Sequence, residues 1–538
     1  MPRVQRPTPA TARGRDLALW LAGAVISVAL AVALYTRFGI NGALSRDEGI
    51  YTYGGQQLTH GVPPYASIFD PKTPLATMIA GAAAAVAHAV GRNDIYLIRV
   101  AFFACSVLTV LAVYLLAARL WRSAVAGLVA ALVFTSFDAF AVDALSGPDA
   151  KTPGILLAVV SMWLTARRQW FWAALAGGLA FLVWQPLVFY PVVTVLVAGI
   201  NATRRRRLRA LGGSVLGAAI PVILVTCYFA VTGALAKFLE SAVIFPAVGI
   251  QRGTETVAAR LAKIATVVHQ SCGLGGVLFW AGVVLLLLAV AATLGQGEGR
   301  RRALREPLVC VVLTTFVAQA GYAASDFQGY PDLYPLLPYA GLGVGAAVGL
   351  AMNGLRRAPA RVATTVFALV GVVALTGFSW SSFTDNPMHN DDFLVQRSSA
   401  CAISRVLVPG HPLYSLGDPR PLALTHRRNP DRFIYLGSGV DRWKIAHTPG
   451  GLDGWAAQIR AAHPSVVVLR GWRTKVTPLL VERLKAAGYR QGYVGQWRVF
   501  LARPARARAH AQGVKVTHRP TEHALDGSGR ELSTARCG

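Results

Sequence analysis

Long apolar runs are the feature of this sequence that most limits its possible folds. About twelve of them lie between residues 17 and 380, and the first, 17–36, has the length of roughly 20 residues that a helix needs to cross a bilayer. Only 14% of the 538 residues are charged, whereas soluble proteins are closer to roughly a quarter. We therefore predict an α-helical integral membrane bundle of about 11–13 spans, covering 17–383.

Basic residues outnumber acidic ones by 53 to 25, and they cluster between the apolar runs. Nucleic-acid-binding proteins are also basic but lack repeated apolar runs, so no nucleic acid partner is expected. Because basic loops stay in the cytoplasm, we place 1–16 and 204–209 inside and the loop 37–73 outside, in a multi-pass plasma membrane protein. An outside C-terminus then requires an odd number of spans. Either the alanine-rich segment 74–91 does not fully cross, or one span is missing from the count.

The sequence changes character after residue 383. Polar and apolar residues alternate over 384–505, which predicts a small extracytoplasmic α/β domain. The predicted helices are 451–463 and 477–489, and the predicted strands are 465–470 and 493–501. The Arg-, Ala- and His-rich segment 506–538 is expected to be disordered.

The first outer loop contains two acids at a predicted helix start. Ser45 followed three residues later by Glu48 is a capping-box pattern, and acids in a first turn favour the positive end of a helix. A helix lying along the membrane surface would account for both Asp47 and Glu48.

A chemical interpretation of the same loop uses both of its ends. A carboxylate at the outer surface can take a proton from an attacking hydroxyl, and a lysine near the head groups can neutralise a leaving phosphate. Asp47 and Lys72 suit those two roles. Lys72 also suits a purely structural role, as a snorkelling side chain at a helix start.

The stretch RDEGIYTYGGQQLTHGVPPYASIFDPKTPL, which begins at Arg46, resembles the first outer loop of a known enzyme family. The family comprises bacterial relatives of protein O-mannosyltransferases and of the lipid A aminoarabinose transferase, which are multi-span glycosyltransferases of the C type. Weaker similarities are LAVYLLAARLW at 111–121 and YPDLYPLLP at 330–338. The resemblance covers roughly 17–440.

The resemblance implies transfer of a sugar from a polyprenyl-phosphate carrier to an acceptor outside the membrane, with inversion of the anomeric centre. It implies that Asp47 is the base or metal-positioning carboxylate, that Glu48, which flanks it, is also catalytic, and that Lys72 contacts the lipid phosphate. The expected partners are the polyprenyl-phosphate sugar, a protein, lipid or glycan acceptor, and membrane lipids.

Several positions depart from the family pattern. Pro71 stands where His or Glu is usual, with Asp70 one step earlier, and Asp332 replaces a histidine. Asp143 or Asp149 would have to supply an acid of the second outer loop. A divalent metal is the one cofactor that the resemblance allows. The candidate substrate or metal residues are Asp70, Asp149 and Asp332, with Tyr330 and Tyr334 as rings that can stack on a sugar.

Two other functions stay open at this point. A non-catalytic transporter or flippase of lipid-linked sugars would be expected to hold charges within its spans near the midplane. The acids of this sequence instead cluster in loops on one predicted side, which favours an enzyme at the interface. An inactive glycosyltransferase-like protein whose outer domain only binds partners is the third interpretation.

Overall fold

Apolar helices form the first part of the chain. The computed structural model describes residues 9–250, 255–272, 274–295, 303–354, 358–384, 392–470 and 476–532. Within these ranges, the helices up to residue 384 are Pro9–Tyr35, Arg46–Thr59, Leu75–Ala89, Asp94–Trp121, Ala124–Thr135, Asp138–Ser146, Lys151–Ala166, Trp170–Val183, Phe189–Asn201, Arg207–Val231, Leu235–Leu239, Phe245–Val248, Val257–Cys272, Leu274–Gly295, Thr314–Ser325, Leu337–Gly354 and Ala358–Thr384. Short 3₁₀ or π turns join several of them, including Tyr330–Leu336.

The chain is a multi-pass membrane protein. Seven helices in its described part are long and apolar enough to cross a bilayer, or eight if Ala124–Thr135 and Asp138–Ser146, which meet at 75°, form one broken span. Four shorter apolar helices accompany them: Leu75–Ala89, Lys151–Ala166, Trp170–Val183 and Gln185–Asn201. The predicted 11–13 spans are reached only if these shorter helices cross as well. Leu75–Ala89 has 15 residues, fewer than the roughly 20 of a full span.

The C-terminal part is an α/β domain, as predicted. Its strands are β1 (Leu413–Leu416), β2 (Val466–Leu469), β3 (Arg490–Val494) and β4 (Trp497–Leu501). The sheet has the order β1-β2-β4-β3, with β1 parallel to β2 and the other neighbours antiparallel. Its helices are Asp392–Val406, Arg420–Thr425, Val440–Ala446, Gly451–Ala461, Val476–Ala486 and Arg503–Ala511.

Two predictions for the C-terminal part are wrong. The single strand expected at 493–501 is two strands, because Gly495 has φ 56° and turns the chain between β3 and β4. Residues 506–532 are not disordered, since Ala509 and Val514 are buried in the core of this domain and Lys515 N–H donates to the Leu525 carbonyl at 2.9 Å. The last residues, 533–538, lie outside the described ranges.

The first outer loop lies between the bundle and the C-terminal domain. Its helix begins as predicted, with Ser45 and Glu48 forming a complete capping box. Ile50 and Tyr53 share a hydrophobic core with Leu413 and other residues of the C-terminal domain. We call this shared core the loop–domain core. It positions the first turn of the Arg46–Thr59 helix.

Candidate active site

Asp47 and Lys72 come together, as the sequence predicts. Lys72 Nζ lies 3.7 Å from Asp47 Oδ2, and 40% of the Asp47 side chain remains exposed. The capping box fixes Asp47 on the first helical turn. The carboxylate is therefore partly accessible, with the ammonium group of Lys72 beside it.

Three contacts hold Lys72 in place. Its backbone N–H donates to Asp70 Oδ1 at 3.1 Å, and its carbonyl accepts from the Tyr65 hydroxyl at 2.7 Å. Lys72 Nζ also lies 5.3 Å from the centre of the Tyr51 ring, within the range of a cation–π interaction. Asp70 is buried. It therefore affects the site indirectly, by holding the Lys72 backbone in place and by raising the pKa of Lys72.

A second lysine enters the site, and sequence analysis missed it. Lys151 N–H donates to Asp149 Oδ1 at 2.7 Å, which repeats the arrangement of Asp70 and Lys72. The signal is present in the sequence, since DPKTP at 70–74 recurs as DAKTP at 149–153. Lys151 Nζ lies 3.8 Å from Asp332 Oδ1 and 5.5 Å from the centre of a tryptophan ring. The positive charge of Lys151 also helps to lower the pKa of Asp47, after those of Lys72 and Arg46.

The charges at this site stabilise one another. Burial alone would raise the pKa of the Asp47 carboxyl, but the positive charges of Lys72 and Arg46 outweigh it and hold that pKa below its ordinary value. Burial would lower the pKa of Lys72, but the carboxylates of Asp47 and Asp70 raise it above its ordinary value. Both groups are therefore ionised at neutral pH.

Glu48 is a structural partner of the site. Its Oε2 accepts from the Ser45 backbone N–H at 2.7 Å, and its Oε1 accepts from the Ser146 hydroxyl at 3.2 Å. Both oxygens are thus engaged and the residue is buried, with its pKa raised by that burial. The geometry favours a role in positioning over the catalytic one that the resemblance implies.

The close approach of Gly147 to Glu48 provides a test of this packing. A Cβ atom at position 147 would lie 2.6 Å from Glu48 Cδ. We expect Gly147→Ala to lower the free energy of unfolding by about 1–3 kcal/mol, seen as a lower thermal midpoint in detergent. Gly212→Ala is the matched control, since a Cβ there meets nothing within 4 Å. Equal midpoints for the two variants would contradict the packing.

The remaining predicted site residues are two acids and two tyrosines. Asp149 and Asp332 flank Lys151, as the distances above show. Tyr334 is only 1% exposed, and its hydroxyl donates to Asp143 Oδ2 at 2.6 Å. Tyr334 therefore cannot stack on a sugar, contrary to expectation. Tyr330 is 38% exposed, and its ring stays available for stacking.

The described residues do not fit a divalent metal site. Among them there is no group of three or more His, Cys, Asp or Glu side chains able to hold an ion. Asp47 faces Lys72 and Asp332 faces Lys151, so each of these carboxylates already has a cationic partner.

Comparison with known proteins identifies the fold. No family model and no curated protein matches the sequence. ArnT from Cupriavidus metallidurans bound to undecaprenyl phosphate is 16% identical, with a TM-score of 0.58 over 88% of this chain and 97% of that one. This chain has the ArnT fold. Apo ArnT from the same organism is 18% identical, with a TM-score of 0.56 over 91% and 98% of the two chains.

A second protein shares the architecture at greater distance. The oligosaccharyltransferase of Archaeoglobus fulgidus in the apo form is 14% identical, with a TM-score of 0.53 over 84% of this chain and 69% of that one. It was also solved in complex with zinc and sulfate. The resemblance noted in the first outer loop is thus confirmed at the level of the fold. At these identities, function has to be argued from the site.

Proposed function

We propose that this protein transfers a sugar from a polyprenyl-phosphate carrier to a hydroxyl acceptor on the extracytoplasmic side, with inversion. The observation that carries the proposal is the 3.7 Å pair of Asp47 and Lys72, which sets a partly exposed base beside a phosphate-neutralising cation. The ArnT structure bound to undecaprenyl phosphate supports the choice of carrier, because the fold is shared.

The reaction follows from the placement of these groups. The acceptor oxygen attacks the anomeric carbon from the face opposite the phosphate, and the bond from that carbon to the phosphate oxygen breaks. The phosphate keeps the electron pair, and its charge is stabilised by Lys72 and Lys151. The proton of the acceptor hydroxyl passes to the Asp47 carboxylate.

Donor binding adjusts the strength of the base. Without donor, Lys72 holds the pKa of Asp47 below its ordinary value. When the carrier phosphate pairs with Lys72, the ammonium charge is partly neutralised and the pKa of Asp47 rises. Asp47 is thus a stronger base when the donor phosphate is bound.

Cells lacking the protein provide the first test. We expect one polyprenyl-phosphate sugar to accumulate in their lipid extract, because its consumer is missing. The purified chain, reconstituted in liposomes, should then release free polyprenyl phosphate from that extracted lipid in the presence of wild-type membranes as acceptor source. An unchanged pool of lipid-linked sugars together with no release in liposomes would overturn the proposal.

The proposed orientation has its own test. We expect a single cysteine at Ala461, an exposed residue of the C-terminal domain, to react with an impermeant thiol reagent added to whole cells in a cysteine-free background. A cysteine at the exposed Thr203, beside the basic turn Arg204–Arg206, should react only after the membrane is opened. The reverse pattern would invert the topology and move Asp47 to the cytoplasmic side.

A further inference from the structure

Two residues that follow neighbouring strands meet at one edge of the C-terminal sheet. Asp418 comes shortly after β1 and Arg470 directly after β2, and these strands are parallel. Arg470 N–H donates to the Leu416 carbonyl at 2.9 Å, and its Nη1 lies 3.6 Å from Asp418 Oδ2. The crevice beyond the carboxyl ends of parallel strands is where α/β sheets bind ligands.

This edge of the sheet rests on the first turn of the Arg46–Thr59 helix. Arg420 Nη1 donates to the Leu44 carbonyl at 3.1 Å. A Cβ at Gly49 would lie 2.8 Å from Arg420 Cγ, so only glycine permits so close an approach. Arg46 starts the same turn, with its guanidinium 4.7 Å from the centre of the Tyr435 ring. The strand ends and the proposed base therefore lie side by side.

Positive charge is in excess at this junction. Arg420 binds Asp418 through two nitrogens, Nε at 2.9 Å and Nη2 at 2.6 Å. Arg470 shares that same carboxylate at longer range, and 48% of its side chain is exposed. Burial and repulsion by Arg420 lower the pKa of Arg470, with a further contribution from Arg46. One carboxylate thus serves two arginines, and one of them, Arg420, packs against the helical turn that Arg46 begins.

Asp47 separates this arginine group from the lysines. Its carboxylate is 3.7 Å from Lys72 Nζ and 3.5 Å from Arg46 Nε. If the lysines receive the carrier phosphate, Arg46 lies towards the side from which the attacking hydroxyl must come. An anion bound by Arg46 and Arg470 would then belong to the acceptor.

We propose that Arg46 and Arg470 form an anion site that binds a phosphate or carboxylate of the acceptor, so that the acceptor is an acidic glycan or lipid. The assignment to the acceptor rests on the proposed function. The anion is bound by two guanidinium groups, one from the first loop and one from the C-terminal domain. Acceptor choice is thereby shared between the two parts of the chain.

Glucose 6-phosphate is a suitable probe, because it joins hydroxyl groups to a phosphate, and glucose is its neutral counterpart. We expect the full chain, purified in detergent and loaded with undecaprenyl phosphate, to be stabilised by the phosphate and not by glucose. Arg470→Gln and Arg46→Gln should each weaken the apparent affinity for glucose 6-phosphate about tenfold, measured from the concentration dependence of the thermal midpoint.

Arg460→Gln is the matched control, because this exposed arginine lies near the opposite end of β2 and loses the same charge. Affinities that are equal in all variants, or equally weakened by Arg460→Gln, would overturn the site. If Arg470→Gln weakens undecaprenyl phosphate binding instead, the anion belongs to the donor and the acceptor assignment is overturned. If undecaprenyl phosphate never binds while glucose 6-phosphate binding depends on Arg470, the proposed function fails and the anion site stands.

Discussion

Asp47→Asn should reduce sugar transfer by at least roughly 100-fold while the protein reaches the membrane in normal amount. A positioned base typically contributes about 10²–10⁴-fold, and asparagine cannot accept the proton. The amide keeps the size of the side chain, and the capping box does not involve the Asp47 carboxylate. Loss of its charge from the first turn should cost about 0.3–1 kcal/mol, and loss of its partly exposed ion pair with Lys72 should cost a further roughly 0.2–1 kcal/mol. The measurement is transfer from the accumulated donor lipid by reconstituted protein.

Asp453→Asn is the control for this prediction. Asp453 is a surface acid of the C-terminal domain, 71% exposed and paired with Arg483 at 2.6 Å. It loses the same charge far from the site, so its activity should match that of the unmodified protein. A fully active Asp47→Asn variant would remove the base assignment and favour a transport function.

Replacement of the two lysines should weaken carrier binding. A charge-assisted hydrogen bond contributes about 1.5–3 kcal/mol, so Lys72→Met should lower the affinity for undecaprenyl phosphate roughly 10- to 100-fold. Lys151→Met should have a smaller effect, because Asp149 and Asp332 already engage that lysine. The double variant should lose less than the sum of the two free energies, since both lysines bind one phosphate. Affinity is measured on the purified chain with labelled undecaprenyl phosphate.

Lys237→Met provides the control for the lysine variants, because Lys237 is exposed and lies on the separate helix Leu235–Leu239. Its affinity for the lipid should be unchanged. Wild-type affinity in Lys72→Met would show that the phosphate binds elsewhere, whatever the result for Asp47.

Local patterns of the sequence predicted the parts of the site that depend on local structure. The capping box at Ser45 placed Asp47 on a helical turn, and the complementary chemistry of the two residues suggested its pairing with Lys72. Lys151 was overlooked because a lysine at a helix start is ordinarily a snorkelling residue, and only its repeated motif distinguishes it. The anion site could not be predicted, since Arg46 and Arg470 are brought together by folding alone.

Long-range packing explains the other differences. A helix lying along the membrane surface was expected at the first loop, and its Ile50 and Tyr53 also pack against the C-terminal domain. Composition predicted disorder after residue 506, because the segment is highly charged and contains few large apolar residues that could form a core. The spacing of Ala505 and Ala509 on one helix face nevertheless allows close packing in the domain.

The loop–domain core joins residues that are synthesised at very different times. Leu44 N–H donates to the Gln396 side chain at 2.9 Å, and the same side chain donates to the Leu44 carbonyl at 3.0 Å, across 352 positions of sequence. At about 5–20 residues per second, these partners are synthesised roughly 20–70 seconds apart. The surroundings of Asp47 therefore stay incomplete during synthesis. We expect the proposed sugar transfer to begin only after the C-terminal domain has folded over the loop.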